Sequence, residues 1–119
     1  MSQFISLPQA VDMTTLYRNM RETILAPEFR GQNILALSET FDRVTFDTLL
    51  AKSGCAGIRI YYGMDVSQKV HAIAVAVNDK NEDMLAVGAA TNLTGGDDIV
   101  ENGRRCPEDC PPESPLNGD

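Results

Sequence analysis

The chain has 119 residues, of which 43% are hydrophobic and 23% charged, and its formal net charge is −7. This length and composition predict one globular domain with one core and leave little room for a second. No window approaches eighteen consecutive apolar residues and no signal-peptide pattern opens the chain, so we expect a cytoplasmic protein without a membrane span.

The acidic charge is concentrated toward the C-terminus. Residues 95–119 contain seven of the seventeen acidic residues but only two of the ten basic ones. Lys and Arg form no cluster that would neutralise phosphate groups, so the composition argues against nucleic acid and anionic membranes as partners. A cationic protein surface or a metal ion suits this charge better.

The first predicted element is an amphipathic helix that begins after Ser6 and ends near Ala26, before Pro27. Ser6 is a suitable N-cap, and Pro8 in the first turn costs little. Apolar side chains recur at spacings of three and four, at Ala10, Met13, Tyr17, Met20 and Ile24. We expect this face to pack on the protein's own sheet, with a partner helix as the alternative. A second helix is predicted from Asp42 to the Ser53-Gly54 pair, with Phe46, Leu49 and Leu50 on its apolar side.

Two strands follow the helices. Residues 57–63 alternate, with Ile58, Ile60 and Tyr62 on one face and Arg59 and Tyr61 on the other. Residues 69–77 are apolar on both faces, which predicts a central strand. A polar turn then leads to residues 84–87, a predicted third strand. The sequence therefore predicts an α+β domain over residues 1–94, in which two helices pack on about three antiparallel strands.

Residues 95–119 form a predicted acidic tail without regular structure. A Gly-Gly pair and an Asn-Gly pair lie in the first part of this segment, and four prolines fall among its last thirteen residues. No periodic apolar face remains, so its order must come from contact with the domain.

The three cysteines, Cys55, Cys106 and Cys110, are the main candidates for metal or redox chemistry. Thiols are the expected state in a reducing compartment. Cys106 and Cys110 supply four zinc ligands only if Cys55 and His71 join them, and these two would be neighbours if their strands form a hairpin. A thiol-redox pair is the other possibility, although the three residues between the cysteines differ from the two of thioredoxin-like motifs. The simplest alternative is a proline-stiffened tail whose thiols pack on the domain.

The pattern around the first strand favours a protein interface. Arg59, Tyr61 and Tyr62 belong to residue types enriched in interface cores. Ordinary cross-strand packing, with Tyr62 inward and Tyr61 at the rim, is the alternative. No nucleotide-binding or hydrolase motif is present and His71 is the only histidine, so the sequence favours a non-enzymatic role.

Several segments together resemble a family of small bacterial proteins, chiefly from Bacteroidetes, with a C-terminal C-P-x-x-C-P-P motif. The resemblance rests on residues 13–18, 39–41, 57–65 and 106–112 and spans nearly the whole chain. It implies a bacterial, non-secreted origin but no activity, ligand or catalytic residue. We therefore predict a protein-interaction or self-assembly module, forming a homo-oligomer or binding another protein, with zinc binding or thiol redox chemistry as the alternative.

Overall fold

The computed structural model describes residues 3–85 and 98–118. Within these ranges the chain forms two α-helices, one 3-10 turn at Pro27–Phe29 and five strands. In chain order the main elements are α1 (Leu7–Met20), β1 (Ser38–Thr40), α2 (Arg43–Leu50), β2 (Gly57–Met64), β3 (Val70–Val77), β4 (Ile99–Val100) and β5 (Arg104–Cys106). This confirms the predicted α+β fold. Neither helix in the described ranges has the length and apolar character needed to cross a bilayer.

The centre of the fold is a three-stranded antiparallel sheet in the order β2-β3-β4. β2 and β3 form a hairpin whose register runs from Gly57 opposite Val77 to Met64 opposite Val70. The predicted central position of β3 is confirmed. Its residues Ala74, Val75 and Ala76 are at most 3% exposed.

The third strand of this sheet differs from the prediction. It is β4, which pairs Ile99 with Val75 and Val100 with Ala74. In the segment predicted as the third strand, Met84 donates its N–H to Ala76 at 2.9 Å, but it belongs to no strand. Residues 86 and 87 of that segment lie outside the described ranges.

The C-terminal segment is tied to the domain before it becomes irregular. Besides β4 it supplies β5, which pairs with β1 so that Ser38 lies opposite Cys106. Arg105 fixes this small ribbon to β3, because its guanidinium donates to the carbonyl oxygens of Val70, Asn33 and Ile34 at 3.1 Å each. Residues 107–118 follow without further strands.

The core lies between α2 and one face of the sheet. Leu49 is fully buried against Ala74 and Ala76. The small alanine side chains let the helix approach the sheet closely. Phe46 and Ile58 pack around this contact. Asp42 is the N-cap residue of α2, as predicted.

α1 does not pack as predicted. A capping box between Ser6 and Gln9 starts the helix, but none of its residues is buried. Of the predicted apolar stripe, Met13, Met20 and Ile24 are between 41% and 66% exposed, whereas Tyr17 is half-buried against the domain. The helix also ends at Met20, short of the predicted end near Ala26. The helix is held to the domain by hydrogen bonds, since the Tyr17 hydroxyl donates to Ala36 O and Arg21 to Leu35 O, both at 2.6 Å.

Candidate functional site

The open edge of the sheet is formed by β2. Val70 and Ala72 of β3 donate their N–H groups away from β2, to Ile34 O and Glu39 Oε1, each at 2.8 Å. Hydrogen-bond direction alternates along antiparallel strands, so the main-chain N–H and C=O groups of the odd-numbered residues point to the partner strand within the hairpin. The N–H and C=O groups that point to the open edge therefore belong to Ile58, Ile60, Tyr62 and Met64. In the described part of the chain no hydrogen bond reaches these groups.

This edge lacks the features that normally prevent strand pairing. Natural edge strands are usually short, bulged, or protected by Lys or Pro. β2 has eight residues, contains neither Lys nor Pro, and carries Arg59 as its one charged residue. Its edge also exposes apolar side chains, since Tyr62 is 79% and Met64 63% exposed. β2 is therefore open to a further strand.

Arg59 and Tyr61 lie on the opposite face of the sheet and meet at one carboxylate. Arg59 forms an ion pair with Asp83, and the Tyr61 hydroxyl donates to the second oxygen of the same carboxylate. Arg59 also donates to Asn81 O at 2.9 Å. Contact with the Tyr61 side chain, and then with Asp83, raises the pKa of Arg59. The only charge on β2 is thus already balanced within the chain.

The three predicted interaction residues are therefore divided between two faces. Arg59 and Tyr61 share the Asp83 cluster, whereas Tyr62 lies with Ile60 on the face that α2 partly covers. The alternative with Tyr62 inward is wrong, because Tyr62 is more exposed than Tyr61, at 79% against 44%. The sequence did not indicate the role of Asp83, which stands out only as an acidic residue at the end of the predicted polar turn.

An apolar cavity of about 470 Å³ adjoins the open edge. α2 covers only part of the sheet face, so the end of the hairpin beside Ile60 and Tyr62 is left uncovered. Phe41 and Phe46, stacked with ring centroids 5.6 Å apart, also line the cavity. Tyr17 of α1 lines the cavity as well. This edge cavity offers apolar side-chain space next to unpaired backbone groups.

The four predicted zinc ligands are not brought together. Cys106 and Cys110 form a disulfide, with their Cα atoms 4.5 Å apart across the turn at residues 107–109, so the expectation of thiols is wrong for this pair. Cys55 is a free thiol that donates to Gly57 O at 3.4 Å. The predicted proximity of Cys55 to His71 is also wrong. Antiparallel pairing sets the start of β2 against the end of β3, so they lie at opposite ends of the hairpin.

His71 has acidic partners on both ring nitrogens. Its Nε2 is 2.7 Å from Asp65 Oδ2, and its Nδ1 is 3.2 Å from Glu101 Oε1. The hydrogen bond from His71, followed by one from the Lys69 main chain, lowers the pKa of Asp65 below its ordinary 3.8. Among the described residues, no group of three or more Cys, His, Asp or Glu side chains is placed to hold a metal ion.

Comparisons with known proteins give no indication of the function, so the proposed function is based on the geometry of the site. No protein-family model, curated protein or solved structure matches the chain. The resemblance to small bacterial proteins stays a prediction.

Proposed function

We propose that the protein is a non-enzymatic self-assembly module in which β2 pairs with β2 of a second copy. The observation that carries this proposal is the apolar, eight-residue edge strand, whose outer side pairs with no strand in residues 3–85 and 98–118. Antiparallel pairing about a two-fold axis would join the two sheets into one of six strands. The order of strands across it would be β4-β3-β2-β2-β3-β4.

The sequence of β2 is complementary to itself in this arrangement. With Tyr61 at the two-fold axis, Ile60 lies opposite Tyr62 of the second copy, and Ile58 lies opposite Met64. Aromatic and β-branched side chains opposite each other are favourable cross-strand pairs. The outward N–H and C=O groups of these same four residues would bond to each other across the axis.

Electrostatics also favour a second copy at this edge. Each chain is acidic, with a net charge of −7, which disfavours association in general. The β2 edge carries none of that excess, because Asp83 neutralises Arg59. In the register centred on Tyr61, Arg59 lies opposite Gly63 of the second copy and meets no like charge.

The proposal is tested by adding a charge to the edge. Wild-type protein is expected to sediment as a dimer that dissociates on dilution. Ile60→Lys places an ammonium group opposite the second copy and is expected to give a monomer with an unchanged circular dichroism spectrum. Val66→Lys is the matched control, because Val66 is fully exposed in the hairpin turn outside β2, and it should remain a dimer. A wild-type monomer at high protein concentration would contradict the proposal, as would equal dissociation by both variants.

A second candidate function, thiol–disulfide exchange, is favoured by the disulfide itself. Cys106 is buried and Cys110 exposed, so an attacking thiolate would meet Cys110 first. The two arginines that precede Cys106 are already engaged and are not free to stabilise a thiolate, because Arg104 pairs with Asp42 at 3.2 Å and Arg105 donates to main-chain carbonyls. Equilibration with mixtures of reduced and oxidised glutathione tests this candidate. A pair that stays oxidised across cytosolic ratios is structural and excludes it.

A further inference from the structure

The chain contains two Asn-Gly pairs, Asn102-Gly103 and Asn117-Gly118. In this pair the main-chain nitrogen of the glycine can attack the asparagine side-chain amide, since glycine has no side chain to obstruct the approach. The attack requires the amide to rotate toward that nitrogen. Hydrogen bonds that hold the amide therefore suppress the reaction in a folded protein.

Asn117 is held at both ends of its amide. Its Oδ1 accepts the N–H of Ser114 at 2.8 Å, and its Nδ2 donates to Pro112 O at 2.8 Å. Its own main-chain N–H bonds to Ser114 O at 3.1 Å. Rotation of this amide would break two hydrogen bonds that close the last turn of the chain.

Asn102 differs on each of these points. It is exposed on the link between β4 and β5, and within the described ranges its side-chain amide makes no hydrogen bond. The nucleophile, the main-chain nitrogen of Gly103, is likewise without a hydrogen bond there. A side chain at position 103 would place its Cβ 2.8 Å from the Phe41 ring, so packing requires the glycine that makes the pair reactive.

We propose that Asn102 is a site of spontaneous modification, converted to aspartate and isoaspartate, while Asn117 is protected. The Gly103 nitrogen forms a bond to Cγ of Asn102, and the bond from Cγ to Nδ2 breaks. Ammonia leaves with the proton of the attacking nitrogen, which closes a succinimide ring. Water then opens the ring at either carbonyl, giving aspartate or isoaspartate without any oxidant or reductant.

The modification would act where the two sheets are joined. A new carboxylate would arise beside Glu101, whose Oε1 is 3.2 Å from His71 Nδ1. The isoaspartate product also carries the main chain through an extra methylene between β4 and β5. Since β4 pairs with β3 and β5 pairs with β1, this lengthens the link between the sheets.

The test follows both sites in the purified full chain. The protein is aged at mildly alkaline pH, and peptide mass spectrometry measures the conversion of each asparagine, with enzymatic methylation to detect isoaspartate. The two hydrogen bonds of the Asn117 amide favour its bonded orientation over the rotated, reactive one by about thirtyfold. Asn102 is therefore expected to react about thirtyfold faster than Asn117. In concentrated urea the two rates should become equal.

A variant separates the site from general ageing. Asn102→Gln, whose longer side chain forms the corresponding ring far more slowly, should remove the fast conversion and leave the slow one at Asn117 unchanged. Equal rates at the two sites in the native protein would overturn the proposal. Conversion of Asn102 only in urea would overturn it as well.

Discussion

Replacement of Tyr62 by proline removes one outward N–H from the β2 edge without altering the hairpin ladder. Because the proposed dimer is two-fold symmetric, the substitution removes two hydrogen bonds, each contributing about 1 kcal/mol. It also removes the contact of each Tyr62 ring with Ile60 of the other copy, about 0.5 kcal/mol per pair. The sum of about 3 kcal/mol corresponds to a dissociation constant raised about a hundredfold.

Sedimentation equilibrium measures this change, with Tyr62→Val as the matched control. Valine keeps the N–H and the strand preference but loses the ring, so its dissociation constant should rise by only about fivefold. Both variants should keep the wild-type circular dichroism spectrum, because proline is tolerated where the N–H faces away from the ladder. Equal dissociation constants for the two variants would refute the reasoning, since the Tyr62 N–H would then make no bond at the interface.

Three further predictions concern the stability of the single chain. Leu49→Ala removes the fully buried side chain between α2 and the sheet and should lower the free energy of unfolding in urea by about 3 kcal/mol. A cost below about 1 kcal/mol would show that Leu49 is not central to the core. Asp83→Asn removes the charge partner of Arg59 and should lower the free energy of unfolding, whereas no change would argue against the cluster. The Asp65 carboxyl should titrate below 3.8 by NMR, so its stabilising contribution is complete above that ordinary value and is lost as the pH falls through the lowered pKa. His71→Gln should raise this titration midpoint, and an unchanged midpoint would contradict the assigned cause.

The parts of the fold that the sequence predicts are those with enough residues to show a period. β2 and β3 have eight residues each, so their alternation and the central position of β3 are evident. β4 and β5 have two and three residues, too few for any period to show. Their pairing depends on partners distant in sequence, which local patterns do not reveal.

The position of α1 shows a second limit. An apolar stripe shows which side of a helix avoids water, but it does not identify the surface that covers it. Here Tyr17, a member of the predicted stripe, and Arg21, which lies outside it, donate to the carbonyl oxygens of residues 36 and 35, and these bonds set the side of α1 that faces the domain. Met13, Met20 and Ile24, which were expected to be buried, are therefore exposed.

The candidate site was predictable by residue type and not by arrangement. Tyr and Arg on β2 were predicted as interface residues from their type, but the role of Asp83 requires knowing that the turn returns beside Arg59. The separation of Cys55 from His71 follows from the hairpin register alone. This separation could have been deduced from the sequence, because antiparallel pairing sets the start of one strand against the end of the next.

Amide hydrogen exchange across β2 at two protein concentrations tests the central claim most directly. At both concentrations the amides of Arg59, Tyr61 and Gly63 should be protected, because they face β3. The amides of Ile60 and Tyr62 should exchange rapidly in dilute protein and become protected in concentrated protein, which gives an alternating, concentration-dependent pattern. Rapid exchange of Ile60 and Tyr62 at every concentration would contradict pairing of β2 with a second copy.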